Sequence, residues 1–281
     1  MFFRIMMNHV KLLLKTKEAM VTFFILLLIV LSNFLSNINM LQGRDITELY
    51  HPMKMLSLSY NKSLYDADTA LLLIQLYPFL VILPGGFSYI KENQTREEVY
   101  LVSRIGKGMY FFNRLFATFF CTAIVFTIPF IIEIFLNCVS FPLSAMGDYT
   151  NMSIYDAEYL NMVKNYLGSS IYIVSPVVYA ILATIFFGII SGMLSTFVVG
   201  ISFIFKVKYR VILLLPVYFI LNATMYMEKF LPNNAYAISW YHYVFLFDSV
   251  TKTVLYLLFF LVALVAISVI SGMIRMKGDV L

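Results

Sequence analysis

Residues 253–274 read TVLYLLFFLVALVAISVISGMI, and this stretch decides the fold. It runs for 22 residues without a charged side chain, and about 20 apolar residues suffice for an α-helix to cross the hydrocarbon core of a bilayer. Arg275 and Lys277 follow directly, as basic residues often do on the cytosolic side of a span. The stretch therefore predicts a transmembrane helix.

The composition of the whole chain has the same character. Of its 281 residues, 61% are hydrophobic and 12% are charged, against about 25% charged in soluble domains. A soluble fold of this length could not bury so much apolar surface in one core. We predict an all-α integral membrane protein, a single transmembrane domain over residues 1–281 with six spans. The spans are expected at about 19–41, 69–90, 113–138, 173–205, 211–227 and 253–274.

The basic residues predict the orientation of these spans. With six spans, 14 of the 20 Lys and Arg residues fall on the side that also carries both termini. The richer side of a multi-pass protein is the cytosolic one, so both termini are predicted to be cytosolic, with the cell membrane as the location. The 14 residues are Arg4, Lys11, Lys15, Lys17, Lys91, Arg96, Arg104, Lys107, Arg114, Lys206, Lys208, Arg210, Arg275 and Lys277.

Residues 1–18 form a segment of their own. Apolar side chains alternate there with Arg4, His9, Lys11, Lys15 and Lys17, a pattern typical of a helix that lies in the membrane interface with its lysines at the lipid headgroups. The alternative is a cytosolic extension of the first span. The net charge of +5 comes from short basic clusters between apolar runs, which indicates contact with membrane lipid and not with nucleic acid.

The chain has no pattern typical of a catalytic or metal site. His9, His51 and His242 lie in separate segments without ligand spacing, and Gly106-Lys107-Gly108 lacks the remaining residues of a phosphate loop. Cys121 and Cys138 lie 17 positions apart on one predicted helix, about 25 Å at 1.5 Å per residue, too far to form a disulfide. We predict a protein that is not an enzyme and has no catalytic residue and no metal.

Glu133 interrupts an apolar stretch in the third predicted span. A carboxylate at membrane depth usually faces a cavity or a partner. Two interpretations stay open: an interface-level or helix-packing carboxylate, or a polar group that lines a transport path. The same two interpretations apply to Gln75 and Asn222, because buried amides also bridge helices.

The most informative segment is the predicted cytosolic connection 91–114. Thr95 is placed to cap a short helix with Glu97 and Glu98 in its first turn, where the helix dipole favours acids. Gly106 and Gly108 are expected to end this helix. A short exposed helix of mixed charge with a few apolar residues suits docking in a groove of another protein, whereas the plainer interpretation is a solvated hairpin. The residues alone do not decide between them.

The segment Thr-Arg-Glu-Glu-x-Tyr-Leu-x-Ser-Arg-x-Gly-Lys at 95–107 resembles that of the permease subunits of type-2 ATP-binding-cassette (ABC) exporters. The resemblance extends to the basic N-terminal helix, the six spans and the aromatic segment before the last span, while the long loop 42–68 departs from it. It implies that the helix mapping to Arg96–Arg104 couples to an ATPase, and that Leu231–Phe247 forms a re-entrant outer segment. The implied coupling residues are Arg96, Glu97, Glu98, Val99, Tyr100, Leu101 and Arg104.

The resemblance further implies a function and partners. The chain would be one transmembrane subunit of an exporter, paired with a second permease copy or homologue and powered by a separate cytosolic ATPase that holds ATP and Mg, so that this chain binds no cofactor. The expected cargo is an amphipathic or antimicrobial peptide, a lipid-like molecule or a drug. The alternatives are an ion-coupled secondary transporter and a non-transporting membrane assembly or sensor subunit.

Overall fold

A computed structural model describes residues 2–42, 52–59, 68–141, 168–205, 209–230, 239–244 and 254–277. These residues lie almost entirely in helices. The helices are α1 (Phe2–Leu14), α2 (Lys17–Leu41), α3 (Asp68–Leu80), α4 (Ser88–Gln94), α5 (Glu97–Ile105), α6 (Lys107–Ser140), α7 (Ser169–Val174), α8 (Pro176–Ile204), α9 (Leu214–Phe230), α10 (Tyr241–Val244) and α11 (Val254–Lys277), with 3-10 turns at Pro52–Met55 and Arg210–Leu213.

Five of these helical segments are long and apolar enough to cross a membrane: Lys17–Asn39, Lys107–Ser140, Pro176–Ile204, Arg210–Glu228 and Tyr256–Lys277. They correspond to the first, third, fourth, fifth and sixth predicted spans. The fourth span is shorter than predicted, because Ser175 caps a helix that begins at Pro176 and the preceding α7 is separate. The described residues therefore have the all-helical pattern of a multi-pass membrane protein.

The predicted second span, 69–90, is not a continuous helix. It consists of α3, the turns at 81–87 and α4. The 13 residues of α3 extend only about 20 Å at 1.5 Å per residue, against a hydrocarbon core of about 30 Å. Pro84 and two glycines occupy the break, and a Cβ on Gly85 would lie 2.6 Å from Cγ2 of Thr118 on α6. The close approach of this turn to α6 accounts for the break.

Helices α6 and α8 form the centre of the bundle, and small residues allow their close contact. A Cβ on Gly188 would lie 2.0 Å from Oγ1 of Thr127, and one on Gly192 would lie 2.9 Å from the carbonyl oxygen of Phe119. The residue numbers on α8 rise from 188 to 192 while those of their partners on α6 fall from 127 to 119, so the two helices are antiparallel. Helix α11 packs on α8 and α6, and α2 packs on α6.

Helix α1 is separate from α2, which excludes a continuous extension of the first span. The chain turns at residues 15 and 16, and Oγ1 of Thr16 accepts a hydrogen bond from the amide of Ala19 at 3.3 Å. One face of α1 packs on α6 and buries Met6, His9, Val10 and Leu13. On the other face the basic residues Arg4 and Lys11 are exposed, flanked by Phe3 and Leu12. The amphipathic character predicted for residues 1–18 is confirmed over Phe2–Leu14.

The two ends of the bundle differ in charge. We call one end the basic end: it carries α1, α4, α5, the beginning of α6 and the end of α11, and includes Arg96, Arg104, Lys107, Arg275 and Lys277. The other end, here the opposite end, carries the segment 52–59, the last turns of α2 and α6, and residues 239–244.

Candidate functional site

The helix α5 lies at the basic end, and its ends are set by two residues in unusual backbone conformations. Arg96 precedes it with φ 59°, in the left-handed region, and Gly106 follows it with φ 82°. Such values are costly for most residues but not for glycine. The predicted end at Gly106 is confirmed, whereas Gly108 lies inside α6 and does not break a helix.

The predicted N-cap of α5, Thr95, is wrong by one residue. Thr95 instead ends α4: its hydroxyl donates to the carbonyl oxygens of Lys91 at 3.1 Å and Glu92 at 3.2 Å. Because that hydroxyl is turned back into α4, Arg96 takes the capping position without a side-chain hydrogen bond. Glu97 and Glu98 occupy the first turn of α5 as predicted.

The seven predicted coupling residues divide between two faces of α5. Val99 is 41% exposed and Tyr100 is 73% exposed, and three charged neighbours share their exposure: Arg96, Glu97 and Arg104. We call these five residues the docking face. Glu98 and Leu101 point the other way; Glu98 is 2% exposed, and Leu101 packs on a cluster formed by aromatic and apolar residues of α4, α6 and α8.

Glu98 anchors α5 to two other helices. The hydroxyl of Tyr89 on α4 donates to the Glu98 carboxylate at 3.1 and 3.2 Å, and the guanidinium of Arg275 on α11 lies 3.6 Å from its Oε1. Burial raises the pKa of Glu98 above its ordinary value, although the charge of Arg275 and the Tyr89 hydroxyl both favour the carboxylate. The inward carboxylate thus joins the docking face to the last helix of the bundle.

A second charged group ties α4 to α6. Arg114 is almost completely buried, and its Nη1 lies 2.9 Å from Oε1 of Glu92. The Tyr110 hydroxyl donates to Oε2 of the same carboxylate at 2.6 Å. One carboxylate oxygen of Glu92 thus contacts Arg114 and the other accepts from Tyr110. A buried ion pair needs such additional hydrogen bonds to offset the cost of its desolvation.

Aromatic packing extends the connection to α8. The Tyr89 ring lies edge-on to Phe203 of α8 with centroids 4.6 Å apart, and Phe111 of α6 lies 4.9 Å from Phe203. Through these contacts α5 is linked to α4, α6, α8 and α11. No sequence pattern predicted that Tyr89, Glu92 and Arg275 belong to this network. The signal available for them was the occurrence of charged residues at the ends of apolar runs.

Glu133 lies near the opposite end and is completely buried inside the protein. Its Oε1 accepts three hydrogen bonds: from the Asn33 amide at 2.7 Å, the Ser57 amide N–H at 2.7 Å and the Ser57 hydroxyl at 2.6 Å. The apolar surroundings of Glu133 in the sequence drew attention to this residue, but no pattern pointed to Asn33 on α2 or to Ser57 in a predicted loop.

Gln75 and Asn222 do not join Glu133. Gln75 is exposed on α3, and the Asn222 side-chain amide donates to the carbonyl oxygen of Tyr218 in its own helix at 2.8 Å. A role for the three residues on a transport path stays a prediction.

Part of the predicted re-entrant segment Leu231–Phe247 is described, namely residues 239–244. Trp240 is buried, and its ring stacks on Tyr77 of α3 with centroids 4.7 Å apart. The carboxylate of Glu228 accepts from the amide of Ser239 and contacts Nε2 of His242, both at 2.8 Å. Residues 231–238 and 245–247 lie outside the described residues.

In the described ranges, no group of three or more His, Cys, Asp or Glu residues could hold a metal ion, and His51 lies outside those ranges. Cys121 and Cys138 are both free, in agreement with the predicted absence of a disulfide between them.

Fold and site together define the class as an all-helical, multi-pass membrane protein with a short, anchored helix exposed at its basic end. Comparison of the chain with protein-family models, with curated proteins and with solved structures finds no match.

Proposed function

We propose that this chain is the transmembrane subunit of an ABC exporter, and that the docking face of α5 binds a separate cytosolic ATPase. The observation that carries the proposal is the division of α5 into an exposed mixed-charge face with an aromatic residue and an inner face fixed to the bundle by Glu98. Tyrosine and arginine are enriched among the residues that contribute most to protein interfaces. A hairpin that served only as a solvated connection would not need a buried carboxylate.

In the proposed orientation the basic end faces the cytosol, because an excess of Lys and Arg marks the cytosolic side. Both termini then lie in the cytosol of a cell-membrane protein, and the exposed face of α1, which carries Phe3 and Leu12, lies in the lipid interface. The described part of the segment before α11 is proposed to belong to a re-entrant element, supported by the burial of Trp240 against Tyr77. The segment 69–90, although it is not one continuous helix, is proposed to cross the membrane as the second of six spans.

The contacts of α5 suggest how ATP hydrolysis would move the spans. ATP and Mg bind on the ATPase, which pulls α5 when its two copies close. The displacement passes to α11 through the Glu98–Arg275 pair at 3.6 Å. It passes to α8 through Tyr89 and Phe203. Two such permease subunits would enclose the path, and the cargo would be an amphipathic or antimicrobial peptide, a lipid-like molecule or a drug.

We expect a reading frame next to this chain to encode an ATPase with a phosphate loop, and the test is association of that ATPase with this chain after co-expression and purification in lipid nanodiscs. Arg96→Glu combined with Val99→Asp should lower the affinity at least about tenfold, since the loss of a single interface hot spot costs about 2 kcal/mol or more and 1.4 kcal/mol corresponds to a factor of about ten. Lys277→Glu reverses an exposed charge at the same end and serves as the matched control.

Intact binding and intact cargo transport in the double variant would overturn the assignment of the docking face. Transport by the purified chain without any ATPase would point to a secondary transporter. Absence of cargo movement in vesicles that contain both proteins would point to an assembly or sensor subunit.

A further inference from the structure

The segment Pro52–Ser59 is buried although it lies in a stretch expected to be a loop. Met53, Met55, Ser57 and Ser59 are all 0% exposed, and the apolar side chains between them are buried as well. The segment is a 3-10 turn followed by irregular backbone. In a membrane protein such backbone is tolerated at depth only where protein groups satisfy its polar atoms or where it lines a cavity.

Side chains of two spans satisfy that backbone. The amides of Asn33 and Asn37 on α2 both donate to the carbonyl oxygen of Met55, at 2.7 and 2.9 Å. From α6, Glu133 accepts from both the amide and the hydroxyl of Ser57. One carbonyl and one serine are thus held by three side chains that are themselves buried.

The same segment contacts a third span. The turn Pro52–Met55 packs against both α6 and α8, and the Asn137 amide of α6 lies 3.5 Å from the Pro52 carbonyl oxygen. Residues 52–59 therefore connect the last turns of α2 and α6 to the beginning of α8. These three helix ends cannot separate while the segment remains seated, because each would lose its contacts with it.

We propose that residues 52–59 are a clasp that holds the opposite end of the bundle closed, and that Glu133 is the positioning residue that keeps the clasp seated. The inference rests on the proposed function only in its final step: opening of the opposite end for cargo release requires the clasp to leave α2, α6 and α8. Glu133 matters because the donors of Asn33 and Ser57 converge on its Oε1, and a Gln side chain would put an amide N–H2 group, which can only donate, at one of the two acceptor positions.

The first test measures release of the clasp without any ATPase. Ser59→Cys is introduced in a chain with Cys121→Ser and Cys138→Ser, and a charged maleimide reacts with it in lipid nanodiscs that expose both ends. Ser59 makes a backbone hydrogen bond to Leu56 and reports on the clasp without removing a Glu133 contact. Labelling should be slow, and Glu133→Gln should accelerate it by about tenfold, which corresponds to about 1.4 kcal/mol in a local opening equilibrium.

Two pairs of variants make the result specific. Glu228→Gln removes a carboxylate charge near the same end and should leave the rate unchanged. Asn37→Ala should accelerate labelling, whereas Asn39→Ala, at an exposed position two residues away, should not. If Glu133→Gln fails to fold, the comparison of Asn37→Ala with Asn39→Ala tests the clasp on its own. Equal rates in Asn37→Ala and Asn39→Ala, or equal acceleration by Glu228→Gln and Glu133→Gln, would overturn the clasp.

The second test concerns the gating step. In nanodiscs with the bound ATPase, trapping the closed ATPase with Mg-ADP and vanadate should accelerate labelling of Ser59→Cys, and Glu133→Gln should already be fast without nucleotide. Unchanged labelling on trapping, with the ATPase still bound, would overturn gating by the clasp. Failure of the ATPase to bind would instead count against the proposed function and would leave the result of the first test valid.

Discussion

Replacing Glu98 by Gln removes the charge that joins α5 to α11 and keeps the size of the side chain. At the observed 3.6 Å, two unit charges attract by about 4.6 kcal/mol at an effective dielectric constant of about 20. Desolvation of both groups opposes most of this attraction, so we expect a net loss of about 1–2 kcal/mol. That loss corresponds to a factor of about 5–30 in the opening of α5.

The assay is hydrogen–deuterium exchange of the α5 backbone amides in lipid nanodiscs. It is run at pH 8, because the pKa of Glu98 is raised by burial and lower pH would protonate the wild-type carboxylate. Protection of α5 should fall by about 5–30-fold in Glu98→Gln. Glu97→Gln is the matched control, since Glu97 is the exposed neighbour in the same turn.

A double-mutant cycle tests the partner. Arg275→Gln alone should lower protection of α5 as well, and the double variant should lose less than the two single variants together, with a coupling energy of about 1 kcal/mol. Equal protection in Glu98→Gln and Glu97→Gln would refute the reasoning. So would full additivity of Glu98→Gln and Arg275→Gln.

Two further predictions concern α1 and the α6–α8 contact. Burial and the charge of Arg114 lower the pKa of His9 below its ordinary 6.5, so the packing of α1 on α6 is fully stable above that pH and weakens as the pH falls. Proteolysis of α1 should therefore be faster at pH 5.5 than at pH 7.5. This difference should disappear in His9→Gln, which cannot be protonated. Gly188→Ala should lower the melting temperature, because its Cβ would lie 2.0 Å from Oγ1 of Thr127, with a cost of about 1–3 kcal/mol for overpacking. Gly272→Ala is the control, since its nearest contact would be an ordinary 3.8 Å; equal melting temperatures of the two variants would contradict the close packing.

The long helices could be predicted from hydropathy because a span needs only local information. Residues 253–274 contain no charge, and α11 is found at Val254–Lys277. The failure at 69–90 is also local in origin: its apolar character suggested one helix, but Pro84 and the adjacent glycines end regular structure. What composition could not indicate is that Gly85 lies against Thr118, 33 positions further along the chain.

The contacts at both functional regions escaped prediction because they join distant residues. Ser57 lies 76 positions from Glu133, and residues 52–59 are too few to appear as a span. Glu98 looked like one of two equivalent acids in a first turn, and only the position of α11 shows that Glu98 faces Arg275 while Glu97 is exposed. Thr95 had the chemistry of an N-cap, but its hydroxyl instead donates to the carbonyl of Lys91 in α4.

The anchoring of α5 to α11 has a consequence for biosynthesis. Arg275 follows Glu98 by 177 positions, a distance that a ribosome covers in about 10–35 s at about 5–20 residues per second. During that interval α5 is already outside the ribosome but lacks its ion pair. In a nascent chain the exposed face of α5 therefore forms before the contact between Glu98 and Arg275, and the two coexist only once α11 has been synthesised.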